Sequence, residues 1–400
     1  MQPAESKHPD ILWGSVAFLS ITPVLACLGL VWWFTSIEFS WAPILACVVL
    51  HVATGLGITA GYHRLFSHRS YKANHAVKLV LSILGAATFE NSAVEWCSDH
   101  RRHHRLVDTD DDPYNAHRGF WYSHILWVCQ WGKFDGDLSN VRDLLKDPVT
   151  AWQHRNYLTI SISFNLLVPL LLGLATGDIL SMMLWAGLVR VVLVQHTTFL
   201  INSWAHMFGT QPYSNQTTAR DSIWLAFFTH GEGYHNYHHA FETDYRNGRA
   251  WYHWDPSKWL IAAMSGLGWV WDLRRIPDDM VLRRRFEEDR SRFSDQLEQW
   301  GEAWEVWKSE VSGRATETQA AFRSHMVRAE GRIEDALADL RAKRQAWMEA
   351  RQQNQAPARI RALRRTMKKA QRSIKASLSE WEQMMSQYAL TMAPPAAVGA

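Results

Sequence analysis

The sequence predicts an all-α integral membrane protein, with four transmembrane helices, a helical cytoplasmic cap and a C-terminal helical extension. Three observations lead there. Apolar runs long enough to cross a bilayer come as two closely spaced pairs. Four short histidine clusters flank those runs. After residue 280 the composition turns abruptly to charge and Gln.

A hydrocarbon core of about 30 Å needs roughly 20 apolar helical residues. Ile11–Phe34 and Trp41–Tyr62 meet this and are joined only by TSIEFS, so spans are expected at 11–34 and 41–62 as a helical hairpin. Tyr157–Thr176 and Ile179–Ile201 repeat the pattern, giving spans at 157–176 and 179–201. The short connectors carry no Lys or Arg, whereas 63–156 and 202–280 carry many, including Arg64, Arg69, Arg101, Arg102 and Arg105. The positive-inside tendency places those long segments and both termini in the cytoplasm. The polar MQPAESKHPD start has no cleavage-site pattern behind it, so the first run is read as retained. Ala76–Phe89 and Trp259–Trp271 are too short for spans and are expected to lie at the interface or under the cap. FWYSHILWVCQW at 120–131 suits the headgroup level.

Residues 1–280 are thus read as a membrane domain and 281–392 as a charged, coiled-coil-like extension. Phe293, Leu297, Trp300, Trp304, Trp307 and Val311 step by four and three along a seam that Gly313 interrupts. Ile333, Leu337, Leu340 and Trp347 resume it, and Pro357 breaks the helix again. Such a stripe serves either a hairpin packing on itself or self-association through 281–390. Nine Lys or Arg and no acid lie between Arg351 and Lys375; this is a solvated face or a surface for anionic headgroups. The tail 393–400 is expected to be disordered. A net charge of +3 gives no reason to expect nucleic acid. Cys27, Cys47, Cys97 and Cys129 form no CxxC and are read as free thiols.

The histidine clusters carry the chemistry. His63 and His68 stand in HRLFSH, His100, His103 and His104 in DHRRHH, His206 ends NSWAH, and His235, His238 and His239 stand in HNYHH. The i, i+3, i+4 spacing in two of them sets three imidazoles on one helix face. Imidazole suits Zn, Cu, Fe and Ni, and nine are too many for one ion, so two ions are expected. His63 and His68, five apart, are about 140° apart round an α-helix, so the second span is expected to end near His63. Asn202, one turn before His206, is placed to hold a metal-bound water. Glu95, Asp99, Glu232 and Asp244 are suited to accept the second imidazole N–H, or to pair with nearby arginines. His51 and His196, inside spans, are read as packed core residues. His75, His117, His124 and His154 are read as surface or interface residues.

These clusters, in this order around two helical hairpins, resemble the membrane fatty-acyl desaturases of the stearoyl-CoA desaturase type. ITAGYHRLFSH, EWCSDHRRHHRLVDTDDDPYN, RGFWYSH and GEGYHNYHHAFETDYRNG carry the likeness, over roughly residues 10–275. The resemblance implies two Fe ions, O₂ as co-substrate and two external electrons. Together these would introduce a cis double bond, commonly Δ9, into a long saturated acyl chain, as acyl-CoA or another acyl thioester. It implies that all nine histidines are ligands and that Asn202 acts through water. It also implies an apolar tunnel between the spans, where Cys47 and His51 are candidates for limiting chain length. Asn91 either contacts the thioester or caps a helix. The family's animal members carry a basic pair after the RGFWYSH-like motif, whereas here only Lys133 stands in VCQWGKF. No electron-carrier domain is fused, so a separate ferredoxin, rubredoxin or cytochrome b5 type donor with its reductase is implied.

Two other functions fit parts of the pattern. A di-iron fatty acid or alkane hydroxylase would use similar ligands and insert oxygen. A transition-metal transporter or sensor would place its histidines at the midplane of the spans rather than at their ends.

Overall fold

The computed structural model describes residues 10–292, 295 and 314–392, with side chains over 10–292, 295 and 324–387. They fall into two compact units, one within Met1–Gln211 and Asn215–Arg275, the other within Pro212–Ser214 and Ile276–Ala400. The seam from Phe293 to Val311, Gly313 and the tail 393–400 lie outside the described residues.

In the first unit α1 (Trp13–Ser36) and α2 (Trp41–Leu56) form the first hairpin, and α2 runs on unbroken as a π-helix over Gly57–Ser67. Next come α3 (His75–Ala86), α4 (Ala93–Leu106), α5 (Phe120–His124), α6 (Arg142–Lys146) and α7 (Pro148–Arg155). The second hairpin pairs α8 (Tyr157–Thr176) with α9 (Ile179–Met182), which continues through a π-helix, Met183–Val189, into α10 (Arg190–Met207). α11 (Ile223–Phe228), α12 (His235–Ala240) and α13 (Pro256–Gly266) complete the cap. Strands β1 (Lys72–Ala73) and β2 (Val270–Trp271) pair antiparallel.

Four of these helical stretches are long and apolar enough to cross a membrane: Trp13–Ser36, Trp41–Ser67, Tyr157–Thr176 and Ile179–Met207. The chain is built as a multi-pass membrane protein. α1 and α8 turn Val24, Leu28, Leu167 and Leu171 outward, each more than half exposed, a belt that water would not favour and lipid would. The first span starts later than expected because Ile11 is drawn into a bridge with Gln130. The second and fourth run past Tyr62 and Ile201 because their polar ends stay helical as they enter the cap.

The helix boundaries follow their caps. Asn74 accepts from Val77 N (2.9 Å) at the start of α3, and Ser92 with Glu95 forms a capping box on α4. Asp147 and Asp255 cap α7 and α13, each followed by Pro at the first helical position. Gly177, at φ +77°, ends α8 in the left-handed region that glycine tolerates.

Neither short apolar stretch is a span. α3 is 12 residues long, about 18 Å, and packs Val77 and Leu81 against Ile58 and Ala60 of the π-helix. Its carboxyl end meets side chains of two spans. Ala86 O accepts from Ser161 (2.7 Å), and Ala87 O accepts from Asn165 (3.0 Å) and the Arg190 guanidinium (2.8 Å). Those carbonyls would otherwise be orphaned among apolar helices. α13 packs Ile261 and Met264 into the same core.

In the second unit a helix over 278–292, α14, joins the long pair α15 (Arg314–Gln352) and α16 (Pro357–Met392). Ile333, Leu337 and Leu340 are buried with Ile374, Leu378 and Trp381 of α16 and with Phe286 of α14. The expected stripe is therefore occupied within the chain. Pro357 stands at the first position of α16, after a turn in which Asn354 takes φ +48°.

Gly57 and α3 approach each other closely, backbone to backbone. A Cβ on Gly57 would lie 2.6 Å from the Leu84 carbonyl carbon and closer still to Gly85 N. Gly57→Ala is expected to cost about 1–3 kcal/mol, read as a lowered melting temperature in detergent. Gly14→Ala, with nothing within 4 Å of its Cβ, is the neutral control.

Candidate metal centre

The nine clustered histidines come together in two groups. His63, His68, His100, His104 and His238 form one, and His103, His206, His235 and His239 the other. Within each group the facing ring nitrogens lie within 4.8 Å of one another.

The π-helix resolves the spacing problem of the first cluster. With i→i+5 bonding, residues five apart lie close to one full turn apart, so His63 and His68 share a face. His68 N donates to His63 O at 3.0 Å, and the two rings are 4.7 Å apart. The expected helix end at His63 does not occur. α4 and α12 then divide their histidines in complementary fashion. α4 gives its i, i+4 pair, His100 and His104, to the first group and His103 to the second. α12 gives His235 and His239 to the second and His238 to the first. The two helices thus interlock the groups, and neither can be moved without disturbing both.

Opposed Nε2 atoms stand 3.0 Å apart for His63–His238, 2.8 Å for His68–His100 and 2.9 Å for His104–His238. In the second group the separations are 3.1 Å for His206–His235, 3.1 Å for His235–His239 and 3.3 Å for His103–His239. Two imidazoles bound at right angles to one ion, at about 2.0–2.1 Å each, would sit about 3 Å apart. The donor spacing fits that of metal ligands.

The outward Nδ1 atoms are held by groups that accept a proton. Glu232 lies 2.9 Å from His63 Nδ1, Asp112 2.9 Å from His103 Nδ1 and Glu242 3.4 Å from His104 Nδ1. The Thr218 hydroxyl stands 2.8 Å from His206 Nδ1 and reaches Asp108 at 2.6 Å, a two-step link to a carboxylate. Tyr114 Oη is 3.3 Å from His100 Nδ1. Such partners fix the tautomer so that each Nε2 lone pair faces inward. Burial, reinforced by the neighbouring imidazoles, holds His68, His100, His235, His238 and His239 well below the usual histidine range. Burial lowers His104 to about 4, although Glu242 opposes it. Neutral rings are the form that binds metal.

Comparison with known proteins is consistent with this geometry. The family model described as fatty acid desaturase matches residues 39–271, which holds all nine histidines. The chain belongs to the fatty acid desaturase family. A probable acyl-CoA desaturase of Schizosaccharomyces pombe is 45% identical over 59% of this chain and 50% of its own length. Acyl-CoA desaturase 1 of Saccharomyces cerevisiae is 39% identical over 62% of this chain and 49% of its own. The chain spans about half the length of these two relatives. Delta(9)-fatty-acid desaturase fat-6 of Caenorhabditis elegans is 34% identical, covering 71% of this chain and 86% of that protein.

This family member has an apolar cavity of about 130 Å³ that reaches both histidine groups, through His63 and His100 on one side and His235 on the other. Phe18, Leu19, Ile58, Val128, Phe199 and Ile201 line it. Asn202 also faces it, one turn before His206. So does Asn91, at φ +72°. Asn91 N donates to Tyr157 Oη (3.0 Å), and Ser92 rather than Asn91 caps α4. Cys47 is instead packed with Ala26, Trp33 and Leu184. His51 lies against His230, ring centroids 5.4 Å apart. Lys133 is held by Asp111 at 2.7 Å.

Of the four carboxylates expected beside the histidines, Glu232 reaches a ring. It also takes Arg64, at 2.8 Å. Asp99 lines the cavity beside Arg102, Glu95 is spent on the capping box, and Asp244 takes Arg246 and the Tyr237 hydroxyl. Adjacency in sequence did not decide which acid meets which ring, because helix rotation turns a neighbour of a ligand away from it. Asp108 and Asp112 follow α4 in VDTDDDP and fold back on it, while Thr218 comes from a loop with no signal of its own. His124, read as a surface or interface residue, is 6% exposed and contacts Ser203 (3.0 Å) and His196 (3.1 Å). Glu90 was not singled out, yet it lines the cavity, where burial pushes its carboxyl up to about 8 against hydrogen bonds to Thr198, Trp96 and Thr88.

Thr218→Val keeps the shape and removes the hydroxyl between His206 and Asp108. Metal affinity at one of the two sites is expected to fall about 10–100-fold, measured by chelator competition with metal analysis. Unchanged retention of both ions would refute a role for this link.

Proposed function

We propose that this protein is an O₂-dependent acyl desaturase that places a cis double bond, at Δ9, in a long saturated acyl chain carried as a thioester, by preference CoA. The observation that carries the reading is that two histidine groups with metal-ligand spacing border one apolar cavity. Relatives named acyl-CoA desaturase and Delta(9)-fatty-acid desaturase support the substrate class and bond position.

The nine histidines would hold two iron ions, which with O₂ would supply the oxidant that an unactivated methylene requires. Asn202, beside the group with four imidazoles, would hold a water that completes it. The balance is two hydrogens from the chain, one O₂, two electrons and two protons, giving one double bond and two waters. Phe18, Leu19, Phe199 and Ile201 clasp the chain and keep water away, which limits both chain mobility and side reactions. The Glu90 carboxyl, neutral below about 8, keeps the cavity wall uncharged where the methylenes pass.

The electrons come from a separate carrier of ferredoxin, rubredoxin or cytochrome b5 type. A second, polar cavity of about 450 Å³ is lined by His68 and His104 together with Arg69, Arg101, Arg105 and Arg274. An acidic carrier would be drawn to these arginines. The same arginine excess supports a cytoplasmic location for the cap and the termini.

In a host without its own desaturase, expression with a compatible electron donor is expected to yield new monounsaturated chains that His238→Ala abolishes. Hydroxylated chains in their place would assign the protein to the hydroxylases. Unaltered acyl chains together with accumulated metal would favour the transporter reading.

Turnover is expected to fall as pH rises through about 8, because ionised Glu90 would put a charge beside the apolar chain. The sign is that of a raised carboxyl pKa: between the unfolded value and about 8 the native state holds the extra proton, so native stability also declines as pH rises across that window. Glu90→Gln is expected to flatten the alkaline limb, read from pH profiles of kcat/KM. A limb that persists unaltered in the variant assigns it to another group.

A further inference from the structure

The second unit carries a surface that the proposed chemistry leaves unused. From residue 352 to residue 379 there is no acidic side chain, and Glu380 is the first after that stretch. Within it, Arg361 to Lys375 set seven cations on α16. They recur at helical spacing along about four turns of one face, roughly 21 Å, and every one is exposed. The opposite face holds Ala370, Ile374 and Leu378, buried in the hairpin core, so the helix cannot roll the cations away from solvent.

This is not the arrangement of an ordinary solvated helix. α15 mixes its charges and pairs them: Lys343 with Asp339 at 2.5 Å, and Arg344 with Asp279 of α14 at 3.2 Å. On α16 the i, i+4 neighbours Arg361–Arg365, Arg364–Lys368, Arg365–Lys369 and Lys368–Arg372 are all like-charged, and each works against the helix. Among the described residues no carboxylate pairs with any of these cations. A run of this kind is relieved by an extended polyanion. The bilayer that holds the four spans is one such surface. No described helix after Met207 is long and apolar enough to cross a membrane, so the second unit follows the last span with no further described crossing and has the bilayer surface in its surroundings. A lipid surface there is a planar array of phosphates, matched to a straight row of cations with no apolar partner face.

We propose that the Arg361–Lys375 face of α16 binds the anionic headgroups of the bilayer that holds the four spans. The contact is electrostatic, without insertion, because the apolar face is already used in the hairpin. It rests on the membrane topology and not on the acyl chemistry.

The test uses the full chain in nanodiscs of phosphatidylcholine with or without phosphatidylglycerol, and follows trypsin cleavage by mass spectrometry. Cleavage between Arg361 and Lys375 is expected to slow by about an order of magnitude or more in the anionic discs, and to recover in high salt. Cleavage at Arg341 of α15 serves as the internal reference. The triple variant Arg365→Gln, Lys369→Gln, Arg372→Gln, which keeps the hairpin core, is expected to lose most of the protection at its remaining sites. Equal rates in both discs overturn the proposal. So does protection that soluble heparin confers but phosphatidylglycerol does not, which would point to a soluble polyanion instead.

Discussion

Nine imidazoles, six buried and three half-buried, face two common points in an arrangement that water cannot stabilise and that a cation would. Each ring gives up hydration, and each inward lone pair opposes another at about 3 Å. Everything around them works to keep those lone pairs inward. Carboxylates, a hydroxyl and a phenol meet the outward nitrogens of five rings, and burial holds His68, His100, His235, His238 and His239 well below the usual histidine range. The spans set the height of the site, the cap encloses it, and the apolar cavity leads to it.

The division of histidines between α4 and α12 explains why the groups can lie so close. Each helix contributes to both, two rings one turn apart to one group and the intervening ring to the other. The centre is therefore a single cooperative object with two places for metal. The π-helix at Gly57–Ser67 has the same purpose. It brings His63 and His68 onto one face while Gly57 lets α3 approach, so a departure from α-helical geometry coincides with the ligands, as π segments often do at functional sites.

Polar groups inside the membrane-crossing bundle have a structural task of their own. Arg190 is fully buried, and its guanidinium serves the last carbonyls of α3 together with Asn165 and Ser161. A short helix that ends among spans needs such partners, and α3 in turn buttresses the π-helix that carries two of the nine histidines.

Much of this was legible in the sequence because it depends on local rules. Span length follows from the thickness of the hydrocarbon core, histidine clusters announce metal through ligand chemistry, and heptad-like steps from Ile333 to Leu340 announce a packed helix. The nine candidate ligands could thus be named from spacing and residue type alone. What the sequence left open depends on rotation and return of the chain. Whether His63 and His68 share a face turned on the helix type, which an apolar run with glycines does not reveal. Which carboxylate meets which imidazole turned on loops folding back, so Asp112, Glu242 and the Asp108–Thr218 link took places expected of Glu95, Asp99 and Asp244. The partner of the α15 stripe was likewise undecided between a second copy and its own chain, because an amphipathic face specifies burial without specifying against what. Composition and period determine what a segment must bury or bind; only tertiary structure decides which groups meet, since contacts between residues a hundred positions apart are set by packing geometry and leave no periodic trace in the chain.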